Sequence, residues 1–491
     1  KYDIDHIYPQ SKVMDDSLEN RVLVKKVSNE EKSDRYPISE NIRKKMQPFW
    51  KSLLDGNFIT KEKYERLIRA TEFEPEELAG FIARQLVETR QGTKAVASIL
   101  KQVLPSAEII YVKAPTVSQF RQDFKFVKVR EMNDLHHAKD AYLNIVVGNV
   151  YFVKFTKNAS WFIKEHPGRS YNLKRLFLAD RVERNGEIAW VAGESGTIGK
   201  VKRTMEKNNI LVTRRSYEVT GGLFDQQLMK KGKGQVPVKG SDERLRDLQK
   251  YGGYNKESGA YFVLVESEDK KGRKIRTIEY IPIRLKSKMK QDEELYCYLE
   301  EQRGLKNPKV LLNKIKTDTL FQVDGFYMWL SGRTENRLIF KGANQLLLPP
   351  KNVETLKKVL KFVARKKENK ELKIFSADRI EKEMLLDLYD TFLSKLQKTV
   401  YGKRLGAQEK TLSDKRDTFR DLEIEEQCIV LSEILHMFQC QSGASNLKLI
   451  GGPENAGSLK INNDITKCRQ INIINQSPTG IYEQVIDLQK V

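Results

Sequence analysis

The chain has 491 residues, with 88 Lys and Arg against 66 Asp and Glu, a formal charge of +22 at pH 7. At about 150 residues per domain this is room for roughly three domains, each able to bury a core without disulfide or metal staples. So large a positive excess points to a polyanionic partner, nucleic acid first, held through phosphate contacts that weaken steeply with salt. The four cysteines, Cys297, Cys428, Cys440 and Cys468, show no C-x-x-C spacing, which excludes a zinc ribbon or disulfide framework and suits a reducing compartment. No apolar run approaches the roughly 20 residues that span a bilayer, so no membrane role is expected. The opening Lys-Tyr-Asp-Ile-Asp-His has neither an initiator Met nor signal-peptide character, and reads as the middle of something longer.

In chain order, a short strand is predicted over Tyr2–Tyr8, ended by Pro9, with a helical stretch from about Asp15 and helical apolar spacing over Ile42–Leu54. Glu74-Pro75-Glu76-Glu77 has the form of an acidic helix N-terminus. It opens Leu78–Leu104, where Ile82, Leu86, Val96, Ile99, Leu100 and Val103 suit one or two buried helices. Ile109–Val112 is a short β-type run, Phe124–Val129 is extended or a turn, and Asp134–Tyr151 is an apolar helix. From about Thr220 the texture changes to glycine pairs and a basic stretch, Lys230–Gly234. Antiparallel strands are then predicted at Tyr261–Val265, Ile275–Ile283, Gly325–Leu330 and Arg337–Phe340. Three helical patterns recur between Asn352 and His436, and strand texture returns over Gly457–Val491. Trp50, Trp161, Trp190 and Trp329 read as core residues, and the lysines of Lys357–Lys370 as a solvated helix face.

The five histidines are the most informative residues. His6, in Asp3-Ile4-Asp5-His6-Ile7-Tyr8-Pro9-Gln10, stands beside a carboxylate at a strand end. An imidazole there can take a proton from water near neutral pH while Asp5 holds a divalent cation against a phosphodiester, with Asn20 or Asn29 as a second ligand. The same residues read equally as a surface pair at a strand end. In His136-His137-x-x-Asp140, helical spacing turns His137 and Asp140 to one face, which suits a base beside a metal ligand or simply a solvated first turn. His166 and His436 have no acidic partner nearby in sequence, and His436 reads as structural.

Taken in order, these blocks resemble the C-terminal part of the type II CRISPR RNA-guided DNA endonucleases, the Cas-nine family. The resemblance rests on D-I-D-H-I-Y-P-Q-S at 3–11, S-N-E-E-K-S-D at 28–34, G-F-I-A-R-Q-L-V-E-T-R-Q at 80–91 and D-F-K-F-V-K-V-R-E-M-N-D-L-H-H-A-K-D-A-Y-L-N at 123–144. It continues through T-G-G at 220–222, K-Y-G-G-Y at 250–254 and I-N-Q-S-P-T-G-I-Y-E-Q-V-I-D-L at 474–488, so it covers essentially the whole chain.

The resemblance implies a multi-domain α+β and α/β architecture. An HNH nuclease domain with a ββα-metal core would occupy 1–74, a linker and the third segment of a partial RNase H-like RuvC fold 75–216, and a mixed α/β topoisomerase-homology and PAM-interacting domain 217–491. It makes His6 the general base of a site that cuts the guide-paired strand, with Asp5 and Asn29 as ligands of Mg²⁺ (Mn²⁺ as a substitute) and Asn20 as the lesser candidate. It makes His137 a base and Asp140 a metal ligand of the site that cuts the displaced strand, with His136 in support. The implied partners are guide RNA (crRNA with tracrRNA, or a single guide), target double-stranded DNA with its PAM, and the remaining N-terminal part of the same protein. The implied setting is the bacterial cytoplasm.

Three departures qualify the carry-over. The family assembles its RuvC fold from three segments, and motifs of the first two are not among these residues. One Asp and one His are half of a two-metal site. The family's phosphate-binding loop after T-G-G maps to Asp225, Gln226 and Gln227, where backbone amides would act and the acidic Asp225 fits less well. Aligned on I-N-Q-S-P-T-G, the positions of the best-known arginine pair that reads PAM guanines fall near Leu459 and Ile461. Alternation over Ser458–Ile465 instead exposes Lys460 and Asn462, so Lys460, Asn462, Asn463, Lys467 and Arg469 become the candidates for PAM contact, each equally readable as part of a charged edge strand. The expected function is therefore part of an RNA-guided endonuclease. The alternative is a non-catalytic guide-RNA and PAM-DNA binding piece, and a stand-alone HNH nuclease leaves T-G-G and K-Y-G-G-Y unexplained.

Overall fold

The computed structural model describes residues 2–10, 12–13, 15, 17–78, 81, 91–155, 173–220, 228–232, 236–237, 247–255, 258–287, 289, 291–368, 380–398, 406–438 and 444–491. It divides into two compact units, Lys1–Phe126 with His137–Asn209, and Val127–His136 with Ile210–Val491. No helix among the described residues is long and apolar enough to cross a membrane.

The amino-terminal unit opens with an antiparallel pair, β1 (Tyr2–His6) and β2 (Arg21–Lys25), in the register Asp3↔Val24 and Asp5↔Val22. Helix α1 (Lys26–Lys32) follows at once. Next come α2 (Glu40–Asp55) and α3 (Lys61–Ile68), and Trp50 of α2 and Leu67 of α3 enclose Ile7 in a small core. A helix turn at 75–78 begins where the acidic Glu-Pro-Glu-Glu signal places it. Helices α4 (Gln91–Val103), α5 (Ala114–Asp123) and α6 (His136–Phe155) follow, then the hairpin β3 (Arg181–Arg184) and β4 (Glu187–Val191), and α7 (Thr197–Glu206). The long helix α6 buries Leu143, Val147, Val150 and Tyr151 against Phe120, Phe177 and Trp190, and edge-on ring contacts link Phe120, Phe177 and Trp190.

In the carboxy-terminal unit, the short strands β5 (Leu228–Met229), β6 (Val236–Pro237) and β7 (Gly253–Tyr254) form one sheet, with helix α8 (Leu248–Tyr251) between β6 and β7. A second sheet has the order β10-β8-β9, built from β8 (Gly259–Glu268), β9 (Lys274–Pro282) and β10 (Lys306–Ile315), with α9 (Asp292–Cys297) between β9 and β10. The unbroken apolar run of β8 is explained by two-sided burial. Phe262 and Leu264 enter one core, and Val263 and Val265 the other.

The third sheet has the order β14-β13-β12-β11-β15-β16, from β11 (Leu320–Val323), β12 (Phe326–Thr334), β13 (Arg337–Gly342), β14 (Leu459–Asn462), β15 (Ile471–Gln476) and β16 (Glu483–Asp487). Between β13 and β14 run α10 (Pro350–Glu368), α11 (Lys382–Lys398), α12 (Gly406–Asp414), α13 (Arg416–Asp421) and α14 (Ile424–Met437). Their apolar stripes, such as Leu385, Leu388 and Phe392, pack with Phe321, Leu330, Leu338 and Phe340 of the sheet into the largest core.

Several expectations are corrected. The stretch after Asp15 is a 3₁₀ turn (Leu18–Asn20) and then β2, because Val22-Leu23-Val24 pairs with β1 instead of coiling. Val96, Ile99, Leu100 and Val103 of α4 are exposed, not buried; Ile82 and Leu86 lie outside the described residues. Residues 109–112 form no strand, since no strand among the described residues pairs with them. Among the described residues five helices stand where three patterns are read, and His436 has an acidic partner, Glu433, 3.3 Å away. Trp50, Trp190 and Trp329 are buried as expected; Trp161 and His166 lie outside the described residues.

Candidate functional site

The period-two alternation of β1 turns Asp3 and Asp5 to the covered face of the hairpin and leaves Tyr2 and Ile4 exposed. Helix α1 covers that face. Asn29 and Lys32, three residues apart on the helix, reach Asp3 and Asp5, two apart on the strand. Asn29 Nδ2 donates to Asp3 Oδ2 at 3.4 Å. Lys32 Nζ lies 3.0 Å from Asp5 Oδ2 and 3.2 Å from Oδ1, and donates to the His6 carbonyl at 2.7 Å. The Asp5 carboxylate, only 9 % exposed, also accepts the His6 amide at 2.8 Å.

His6 Nε2 sits 3.1 Å from the side-chain amide nitrogen of Gln10.

Asn20 takes no part in this. Fully buried, it donates from Nδ2 to the carbonyls of Tyr8 and Asp15 and accepts the Tyr8 amide, which occupies its side chain in holding the turn. Asp15 beside it is held below the ordinary carboxylate range: burial pushes it up, but bonds from Arg66 and Ser17 outweigh that. Lys32 is the residue that sequence reading missed, although its i, i+3 spacing from Asn29 is a visible signal.

On α6, His137 is exposed and His136 is buried, its Nδ1 2.9 Å from the Asn133 carbonyl. Asp140 accepts a hydrogen bond from Arg121 Nη1 of α5 at 2.5 Å. Arg121 is the other partner that sequence reading missed. The Lys139 ammonium is lowered from its ordinary value by burial and then by the Arg121 charge.

Oxygen donors such as Asp5 and the Asn29 amide suit a hard cation like Mg²⁺, which takes one or two protein ligands and completes its shell with water and phosphate. Asp140 alone does not fit a two-metal centre. No group of three His, Cys, Asp or Glu able to hold a metal exists among the described residues.

The candidates of the carboxy-terminal unit are dispersed. Lys460 and Asn462 are exposed on the edge strand β14, with Leu459 buried beneath, as alternation requires. Asn463 donates its amide to Glu279 at 2.9 Å and so belongs to a buried polar cluster. There Glu279 accepts Arg303 Nε at 2.7 Å, and the Arg333 guanidinium lies 3.1 Å above the Tyr280 ring. Lys467 and Arg469 are exposed, and the Arg469 amide donates to Asp324. Asp225, Gln226 and Gln227 lie outside the described residues.

One further feature of the amino-terminal unit is a groove of about 510 Å³ between α4, residues 108–112 and α6, lined by Val96, Leu100, Ile110, Val112 and Ile145 among others. Gly148 makes this approach feasible, since a Cβ there would stand 2.6 Å from Val112.

Residues 220–484 match the family described as the PAM-interacting domain of CRISPR-associated endonuclease Cas9, 90–216 the Cas9 RuvC domain, and 1–38 an HNH endonuclease family. Similar curated proteins include the CRISPR-associated endonuclease Cas9 of Streptococcus mutans, 29% identical over 100% of this chain and 38% of its own length. The Cas9 of Listeria innocua is 32% identical over 72% of this chain and 28% of its own. That of Staphylococcus aureus is 29% identical over 31% of this chain and 15% of its own. The chain therefore spans well under half the length of the curated relatives it matches.

Proposed function

The chain belongs to the CRISPR-associated endonuclease Cas9 family, and from that premise we propose that it supplies the guide-paired-strand nuclease core, one RuvC segment and the PAM-binding domain of an RNA-guided DNA endonuclease. On this reading 1–74 is the HNH domain with a ββα-metal core, 75–216 the linker and third RuvC segment of an RNase H-like fold, and 217–491 the topoisomerase-homology and PAM-interacting domain. Its partners are guide RNA, PAM-bearing duplex and the N-terminal remainder of the protein, in the bacterial cytoplasm.

The observation that carries this reading is that α1 covers the β1–β2 hairpin with Asn29 on Asp3 and Lys32 on Asp5 and the carbonyl of His6. His6 Nε2 takes the proton from the attacking water. The His6 amide donates to the Asp5 carboxylate and helps to fix it. Asp5 and the Asn29 oxygen would hold Mg²⁺, which supplies charge against the scissile phosphate when bound. Lys32 balances the Asp5 charge from the helix side.

Displaced-strand cleavage needs carboxylates beyond Asp140, with His137 as base. The exposed apolar side of α4 and the groove beside it support the view that further chain covers this unit in the complete enzyme. Asp225, Gln226 and Gln227 would bind the PAM-flanking phosphate, and Lys460, Asn462, Asn463, Lys467 and Arg469 line the PAM duplex.

The test is His6→Ala in the enzyme completed with its N-terminal segments, guide and Mg²⁺. Loss of the guide-paired-strand nick with PAM-duplex binding within twofold is the expected result. Unchanged nicking overturns the role of His6. A wild-type enzyme that binds but cuts neither strand favours the non-catalytic reading, toward which the Arg121 pairing of Asp140 points.

A further inference from the structure

Helix α6 carries His137 and Asp140, yet its first residue belongs to the other unit: Val127–His136 group with the carboxy-terminal unit, and His137 onward with the amino-terminal one. Within the carboxy-terminal unit this lead-in is firmly built. Val129 and Met132 lie in the largest core. Asn133, 6 % exposed, donates from Nδ2 to the Leu346 carbonyl at 2.9 Å and accepts the Leu135 amide on Oδ1 at 3.2 Å. The Asp134 amide donates to Gln345 Oε1 at 2.7 Å. The Asp134 carboxylate accepts from Arg214 Nη2 at 3.2 Å, and that guanidinium lies 5.6 Å above the Trp329 ring of β12.

A helix start needs partners for its first amides, and Asn133 supplies one of them locally. The bonds to Leu346, Gln345 and Arg214 do something else. They tie the lead-in to a stretch just beyond β13 and to a side chain stacked on β12, that is, to the frame of the six-stranded sheet. Asp140 is four residues along the helix from His136, about 6 Å at 1.5 Å per residue, with continuous helical backbone between. A shift or rotation of the first turn is therefore carried to Asp140 and His137.

Resting on the function proposed above, we propose that Asn133, Asp134, Arg214 and Gln345 are positioning residues for displaced-strand cleavage. They hold the residues that lead into this helix and touch no reacting atom themselves.

The test measures single-turnover cleavage of each labelled strand by the completed enzyme with guide and Mg²⁺. Because a misplacement of about 1 Å can cost on the order of a hundredfold, Asn133→Ala and Gln345→Ala are each expected to slow displaced-strand cleavage about tenfold or more. Cleavage of the guide-paired strand, which depends on a separate site, stays within twofold. Gln345→Glu, which keeps an acceptor oxygen, restores most of the rate. Gln345 is half-buried and accepts the Asp134 amide of the lead-in, so Gln345→Ala keeps the question open to test should Asn133→Ala fail to fold. Equal slowing of both strands, or no change in either, overturns the inference. A wild-type enzyme that cuts neither strand overturns the function on which it rests.

Discussion

Lys32→Ala is the perturbation with the clearest physical consequence. One ammonium makes two charge-assisted contacts, to the Asp5 carboxylate at 3.0 Å and the His6 carbonyl at 2.7 Å. Such bonds contribute about 1.5–3 kcal/mol each. The paired side chains are 12% and 11% exposed, so solvent screens them little. Against this, freeing the lysine returns about 1–2 kcal/mol of rotamer entropy. Removing one partner of a nearly buried pair costs about 3–5 kcal/mol when the other charge stays uncompensated, which sets the upper end. The net cost to the β1–β2–α1 region is therefore about 2–4 kcal/mol, and amide protection over residues 2–25 should fall at least about thirtyfold at 1.4 kcal/mol per decade. Hydrogen exchange read by mass spectrometry measures this, with Lys32→Met as a control that keeps the alkyl stem. Mg²⁺ adds a second readout. At 10 mM against a Kd of about 1 mM, a cation binding only the folded form stabilises by about 1.4 kcal/mol. The variant, with no ammonium on Asp5, should gain more protection from Mg²⁺ than the wild type. Unchanged protection, or an equal Mg²⁺ effect in both proteins, refutes the reasoning.

Asn20→Ala should cost about 2–4 kcal/mol, since three buried hydrogen bonds are lost together, and thermal unfolding would show it; a folded variant with weakened Mg²⁺ binding would instead make Asn20 a ligand. Gly148→Ala should destabilise the amino-terminal unit by about 1–2 kcal/mol despite the better helix propensity of Ala, because its Cβ would meet Val112 at 2.6 Å; a higher melting temperature would disprove that close approach. The Cys428 thiol is pushed up to about 12, chiefly by burial. In the native protein it should resist alkylation at pH 8, as read by peptide mass. The folded form keeps this proton where the unfolded chain loses it near the ordinary value of 9.0, so this group's contribution to stability falls as pH rises from about 9 to about 12.

Much of the carboxy-terminal unit is legible because its signals are local. The alternation in β13 and β14 reports directly which side chains are covered, and the stripe Leu385, Leu388, Phe392 marks α11 as a core helix. Errors arise where a distant partner decides the outcome. The polar stretch before Asn20 is held by bonds to Tyr8, twelve residues back, and the strand after it exists because β1 lies alongside. Residues 109–112 have strand composition without a strand partner, and α4 has a core-like face that stays exposed. The catalytic candidates were legible by residue type, but their counter-charges were not. Lys32 lies 27 residues from Asp5 and Arg121 lies 19 from Asp140, separations at which spacing carries no information.

Those counter-charges also explain why the two candidate sites differ. Each has one carboxylate held by a protein cation, but the cations are not equivalent. Lys32 is a compact point charge on a flexible stem, and its ammonium can withdraw along the helix when another cation takes the carboxylate. Asn29, one helical turn away, brings an amide whose oxygen is a second donor for a divalent ion. Arg121 is planar and largely buried, and it bonds Asp140 at 2.5 Å. Displacing it would break a largely buried ion pair for the gain of a single ligand. The Lys32–Asp5 pair is therefore the more readily exchanged of the two, whereas Asp140 stays in its ion pair with Arg121.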